Sequence, residues 1–283
     1  MKTLVRGLFV LAVAAAFGDV QRNVPYGEAG GQRLLLDACV PEGPGPFPIA
    51  ILVHGGGWSA GDKSGSDVPG NTADISPWFG PLTAAKFTWF SINYRLAPAN
   101  RWPACFDDLR TAIRWVKAHG SEFKGDTRHI ALVGHSAGGH LVALAATDAT
   151  ADTRVQAVLG FAPVADLERD SERRGGLSPS LQGLFGLPKE ITGESRAVLR
   201  EFSPIEHVKA GLPPFLLIQG DQDKTVPIGQ TLAFQARLRA SGVRCDLIVV
   251  KGAPHSLVAW DQFDPGYKRA MIAWLRETLG VSP

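Results

Sequence analysis

The run Gly134-His135-Ser136-Ala137-Gly138-Gly139-His140 places a serine between glycines two positions before and two positions after it. An apolar stretch, 130–133, precedes the run, and a segment of helical character, 140–146, follows it. A G-x-S-x-G pattern between strand and helix reads as a nucleophile elbow. The logic is steric: at the apex of so tight a turn, side chains on the flanking positions would collide with the neighbouring strand and helix. The serine hydroxyl is thereby lifted out at the carboxyl end of a sheet, at a helix N-terminus whose dipole favours developing negative charge.

A serine hydroxyl is a poor nucleophile until a base takes its proton and a carboxylate orients that base. Two later loops offer these groups. Gly220-Asp221-Gln222-Asp223-Lys224-Thr225-Val226-Pro227 follows the apolar run 215–219, and Ala253-Pro254-His255-Ser256 follows the apolar run 245–250. His255 is expected to be the base. Asp223 is favoured as the acid over Asp221, which adjoins the turn glycine and is expected to fix the loop. The chain order of serine, acid and histidine is the one expected of an α/β-hydrolase. The other histidines late enough to compare, His119, His129, His135, His140 and His207, do not sit in such a loop and are expected to be structural or exposed. A third element, His54-Gly55-Gly56-Gly57-Trp58, ends the apolar run 47–54. Its glycines let backbone amides approach a substrate, and with the Ala137 amide they could hold an oxyanion. His54 is read as a hydrogen-bonded support for this loop.

Something must bring three distant loops to one place. Apolar runs at 33–40, 47–54, 87–94, 130–133, 155–161, 215–219 and 245–250 read as strands. Segments 106–119, 140–146, 228–240 and 267–279 read as helices. Strands alternating with helices of this length predict βαβ units, hence an α/β fold with a doubly wound, mostly parallel sheet. Each chemical loop then follows a strand, and all share one sheet edge. Two long connections, 59–81 and 166–208, interrupt the rhythm and are candidate walls of a cleft, the second as a small cap or lid.

The 283 residues are 45% hydrophobic and 20% charged, which excludes intrinsic disorder. The formal net charge is +2 and the longest basic run is the pair Arg173-Arg174, so no nucleic-acid partner is expected. No repeat period is present, which argues against solenoids and propellers. Residues 1–18 have the layout of a signal peptide: Lys2 and Arg6, an apolar run at 8–17, and small residues Ala14 and Ala16. This predicts a mature domain over 19–283, secreted or periplasmic, with no membrane attachment after cleavage; a buried N-terminal helix is the alternative. Cys39, Cys105 and Cys245 are far apart and form no metal-ligand spacing, so no metal is expected. Three buried thiols are favoured over one disulfide plus a thiol.

Taken together, HGGGW at 54–58, Gly61-Asp62-Lys63, Asn93-Tyr94-Arg95-Leu96-Ala97-Pro98, Phe106-Asp107-Asp108, GHSAGGH at 134–140, GDQDKTVP at 220–227 and Pro254-His255 make the sequence resemble an α/β-hydrolase. The type is hormone-sensitive-lipase-like or acetyl-esterase-like, close to bacterial feruloyl and acetyl-xylan esterases, and the resemblance spans roughly 24–280. It implies ester hydrolysis through an acyl-enzyme with no cofactor, and an oxyanion hole on Gly56, Gly57 and Ala137. The expected partner is a small-molecule ester, with an esterified plant polysaccharide as one candidate. Trp58 and Trp78 would suit a sugar or aromatic ester by stacking. An arylformamidase or serine peptidase on the same scaffold is the alternative reading.

Overall fold

Continuous apolar runs such as Phe47–Val53 and Phe215–Gly220 bury both faces of a strand, which only a sheet covered by helices on two sides allows. The computed structural model, which describes residues 18–65 and 75–281, has this arrangement. The strands are β1 (Asp19–Ala29), β2 (Gln32–Val40), β3 (Phe47–Val53), β4 (Thr88–Ile92), β5 (Gly125–His135), β6 (Ala157–Phe161), β7 (Phe215–Gly220) and β8 (Cys245–Val250). They form one sheet in the order β1-β2-β4-β3-β5-β6-β7-β8. β2 pairs antiparallel with β1 and β4, and every other pairing is parallel.

Alternation along the strands divides the core. Ile49, Ile51, Val53, Ile130 and Leu132 face one layer, built from α2 (Ala104–His119), α3 (Ala137–Thr147) and α7 (Ile228–Ala240). Ala50, Leu52, Ala131 and Val133 face the other, built from α1 (Phe79–Ala84) and α8 (Tyr267–Leu279). This two-sided packing is the doubly wound α/β fold expected from the sequence.

The connection 166–208 is more ordered than its composition suggested. It holds α4 (Leu167–Arg174), α5 (Pro179–Phe185) and α6 (Gly193–Glu201). Each has a side-chain N-cap, from Asp166, Ser178 and Thr192 respectively, and α6 closes a capping box with Ser195. Leu167, Leu181, Leu184 and Leu199 point into the core. Arg196 bridges Glu168 and Glu172 at 2.6 Å each, tying α6 to α4. The expected leader falls on residues outside those described, up to residue 17, and so does 66–74 within the other long connection. Among the described residues no helix is long and apolar enough to cross a membrane. The three cysteines are buried free thiols.

Candidate active site

β5 runs straight into α3, and Ser136 is the hinge between them. Its φ of 55° and ψ of −116° lie in a sparsely populated region that costs on the order of 1–3 kcal/mol. The flanking glycines make the turn sterically feasible. A Cβ on Gly134 would sit 2.3 Å from the Gly138 carbonyl oxygen, and a Cβ on Gly138 would sit 2.2 Å from that of Val53. The Ser136 amide donates to the Phe161 carbonyl at 2.9 Å, anchoring the elbow to β6. The serine is 8% exposed and opens into a cleft of about 260 Å³.

The loops after β7 and β8 meet the elbow there. His255 Nε2 lies 3.0 Å from Ser136 Oγ, and His255 Nδ1 lies 2.6 Å from Asp223 Oδ2. Because Asp223 can only accept, Nδ1 carries the proton and Nε2 presents its lone pair to the serine. Asp223 is itself held in place: its Oδ1 accepts from the amides of Thr225 at 2.8 Å and Val226 at 2.9 Å, and its Oδ2 accepts from Gln219 Nε2 at 3.1 Å. Asp221 takes the other role. Its carboxylate accepts from the Gly252 amide at 2.7 Å, bridging the two loops. Behind the base, His135 Nε2–H donates to the His255 carbonyl at 3.0 Å. Burial, followed by the nearby His255, holds the His135 imidazole well below its ordinary range, so it stays neutral.

The glycine loop after β3 reaches the same cleft. Gly57 and Ala137 border it beside Ser136. The Ala137 amide opens α3 and has no carbonyl inside the helix to pair with. Gly56 forms the turn itself: its φ is 98°, and its carbonyl accepts from the amides of Ser59 and Ala60. His54 supports this loop from beneath, as its sequence position suggested. Its Nδ1–H donates to the Gly55 carbonyl at 2.8 Å, and its ring stacks on Tyr94 at 4.3 Å. Burial pushes its imidazole down to about 4. The Tyr94 hydroxyl lies 3.1 Å from both the His54 and Gly55 carbonyls, and Arg95 forks onto Asp108 through Nε and Nη2. These motif residues therefore shape the loop and do not line the cleft.

The two tryptophans part company. Trp58 borders the cleft, but it is only 4% exposed and its indole N–H donates to His140 Nδ1 at 3.3 Å. The other nitrogen of His140 donates to the Phe202 carbonyl at 2.8 Å, and burial holds this imidazole down to about 4. Trp78 corrects the expectation of a stacking platform. It is 0% exposed and packs on Phe161 at 4.4 Å, on the α1–α8 side of the sheet. A large apolar ring fills the layer between helix and sheet there and is not among the residues that border the serine's cleft. Of the described part of the 59–81 connection, Ser64, Ser76 and Phe79 border a separate depression beside Asp37 and Cys39. The cap does form a wall of the Ser136 cleft, through Asp170, Arg174, Ser180 and Leu181. Nothing but the i,i+4 spacing of Asp170 and Arg174 marked that pair in the sequence.

Several known proteins are similar to the chain. The probable carboxylic ester hydrolase LipM of Mycobacterium tuberculosis is 32% identical over 242 residues, covering 77% of this chain and 54% of the relative. Esterase LipC of the same organism is 34% identical over 248 residues, covering 83% and 59%. The chain thus spans somewhat over half the length of these curated relatives. Among solved structures, a truncated carbohydrate esterase from gut microbiota aligns with a TM-score of 0.79 at 24% identity, over 94% of this chain and 98% of the other. An acetyl ester-xyloside bifunctional hydrolase from Caldicellulosiruptor lactoaceticus aligns at 0.76 and 21% identity, over 94% and 98%. These structural matches bear on the fold. The sequence pattern of the BD-FAE family matches residues 36–238, from β2 through most of α7. With that match on this sheet topology, the chain belongs to the BD-FAE family of α/β-hydrolases.

Proposed function

We propose that the chain is a serine carboxylesterase that cleaves short-chain, sugar-linked or aromatic esters through an acyl-enzyme. The observation that carries this reading is the hydrogen-bonded line Ser136 Oγ, His255, Asp223, with spacings of 3.0 and 2.6 Å, whose serine opens into a cleft bordered by Gly57 of the glycine loop and by Ala137. Ser136 attacks the ester carbonyl as His255 Nε2 takes its proton. Asp223 fixes the imidazole tautomer and stabilises the imidazolium. The amides of Gly56, Gly57 and Ala137 are the donors of this reading to the oxyanion; loss of one such donor typically costs about 10²–10³ in rate. His255 then returns the proton to the leaving alcohol, and water repeats the sequence on the acyl-serine. The esterase names of the curated relatives support the reaction class. The same reading takes residues 1–18 as a cleaved leader and the mature enzyme as exported; β1 begins at Asp19, just beyond it.

The test is a panel of p-nitrophenyl esters from acetate to decanoate, run beside methyl ferulate and acetylated xylan. Each methylene buried in a fitting pocket contributes about 0.8 kcal/mol. In a cleft of about 260 Å³, kcat/KM should rise from acetate to butyrate and then fall. A rise that continues through decanoate contradicts the short-chain assignment. Absence of turnover on every ester, with p-nitroanilides cleaved instead, contradicts the esterase assignment.

A further inference from the structure

The cap presents one ion cluster to the cleft, and its charges do not balance. Asp170 lies on the inner side of α4 and is buried. Its Oδ1 accepts from Arg173 Nη2 at 2.7 Å and its Oδ2 from Arg174 Nε at 2.7 Å, so two guanidinium groups share one carboxylate. Both arginines also donate through Nη2 to the Thr225 carbonyl, at 3.3 Å and 2.6 Å, which fixes them against the loop that carries Asp223. Arg174 is the member that borders the cleft, and its side chain remains 31% exposed. With Nε and Nη2 committed, the N–H groups of Nη1 are left to what enters the cleft.

The surroundings reinforce the positive sign. Among the described residues that border the cleft, only Asp170 and Arg174 carry a formal charge, and Asp170 is neutralised twice over. The carboxylate of Asp223, fully buried behind His255, opposes this sign and is spent on His255 and the amides of its own loop. Lys224, in the same loop, adds a further cation at the surface. The N-terminus of α3 points its positive end at Ser136. The free hydroxyl of Ser180 lies beside the glycine loop, 2.7 Å from where a Gly57 Cβ would be, and can donate to the same guest.

We infer that this cleft selects esters that carry a carboxylate several bonds from the scissile carbonyl, and that Arg174 is the residue that recognises it. The inference rests on the esterase reading above and narrows its substrate class. A guanidinium already locked by Asp170 and Thr225 gives up little side-chain freedom on binding, and its remaining Nη1 N–H groups can make a charge-assisted hydrogen bond to a carboxylate. A neutral ester would leave the excess charge facing an apolar guest.

Two matched pairs test this, one for each side of the ester bond: 4-carboxyphenyl butanoate against its 4-carbamoyl isostere, and the p-nitrophenyl hemiester of adipic acid against its terminal amide. Each pair is assayed with the wild type, Arg174→Gln and Arg174→Lys. Comparing the anion-to-amide ratio of kcat/KM across proteins cancels the intrinsic reactivity of the esters. The wild type should favour the anion in at least one pair. Arg174→Gln should lower that ratio by about tenfold or more, the worth of one hydrogen bond to a charged group, and Arg174→Lys should keep most of it. Salt at about 0.5 M should shrink the wild-type preference. Equal or faster turnover of the amides in both pairs overturns the inference and leaves the esterase reading standing, as does an anion preference that survives Arg174→Gln. No turnover of any of the four esters by the wild type overturns both.

Discussion

Two aspartates two residues apart invite the same assignment, and hydrogen bonds separate them. Asp223 collects two amides, the Gln219 side chain and His255, whereas Asp221 accepts from the Gly252 amide across the loop. Asp223→Asn should therefore lower kcat by about 10³–10⁴ while the protein stays folded, because the tautomer that offers Nε2 to Ser136 is lost. Asp221→Asn should change kcat only modestly and act on thermal stability. Steady-state kinetics with circular dichroism on both variants decides the matter; the reverse pattern makes Asp221 the triad acid. These roles were legible in the sequence because the strand-loop order placed them and the turn glycine set Asp221 apart. The Trp78 role was not legible, since an aromatic near a loop reads the same whether it faces a cleft or, as here, a helix–sheet layer.

At the scale of elements, the sequence was clearest over the last third of the chain. α7, β8 and α8 follow the expected limits residue for residue, with Ser241-Gly242 closing α7. β1 was invisible: its burial is confined to Tyr26, and an edge strand with one covered position shows no apolar run. α3 starts at Ala137, three residues before the expected start, because Gly138 and Gly139 look like loop. They are helical glycines that let the backbone approach Val53 and Phe161 closely. Gly138→Ala should consequently disrupt the elbow, not stabilise a helix, and lose soluble protein or most activity; a variant with wild-type kcat and melting temperature would refute this steric account. The string around Tyr94 and Asp108 was legible as motif but not as purpose. Arg95 and Asp108 lie together, Asp108 also accepts the Arg95 amide at 2.8 Å, and this pins α2 to the chain leaving β4. Removing one partner of such a buried pair typically costs about 3–5 kcal/mol. Asp108→Ala should thus lower the denaturant midpoint strongly, and a shift equivalent to less than about 1 kcal/mol would show the pair to be dispensable.

The whole molecule carries three buried histidines that behave alike towards acid. Burial pushes His54 and His140 down to about 4 and holds His135 well below its ordinary range. In the unfolded chain each titrates near about 6.5. Between those limits the unfolded state binds protons that the folded state refuses, so stability rises with pH. The contribution is complete above about pH 6.5 and is lost as the pH falls towards 4, by up to about 1.4 kcal/mol per pH unit for each group. Melting temperature should be nearly flat from about pH 7 to 8 and fall steeply below about pH 6. His54 supports the glycine loop and His140 joins Trp58 to the end of the cap, so acid should loosen the cleft walls together. A melting temperature that does not change between about pH 7 and 4.5 would contradict this burial-driven linkage.

The central claim, that Ser136 carries the acyl group between the two half-reactions, is tested most directly on the intact enzyme. Wild type and Ser136→Ala are each mixed with p-nitrophenyl acetate, quenched in acid, weighed by mass spectrometry and mapped by proteolysis. The account predicts one added acetyl group per wild-type molecule, located on the peptide containing Ser136, with a matching burst of p-nitrophenol. It predicts neither for Ser136→Ala, whose turnover should fall by about 10⁴ or more. An acetyl group found on any other residue of an active enzyme, or a Ser136→Ala variant that keeps a tenth of the wild-type kcat, would contradict it.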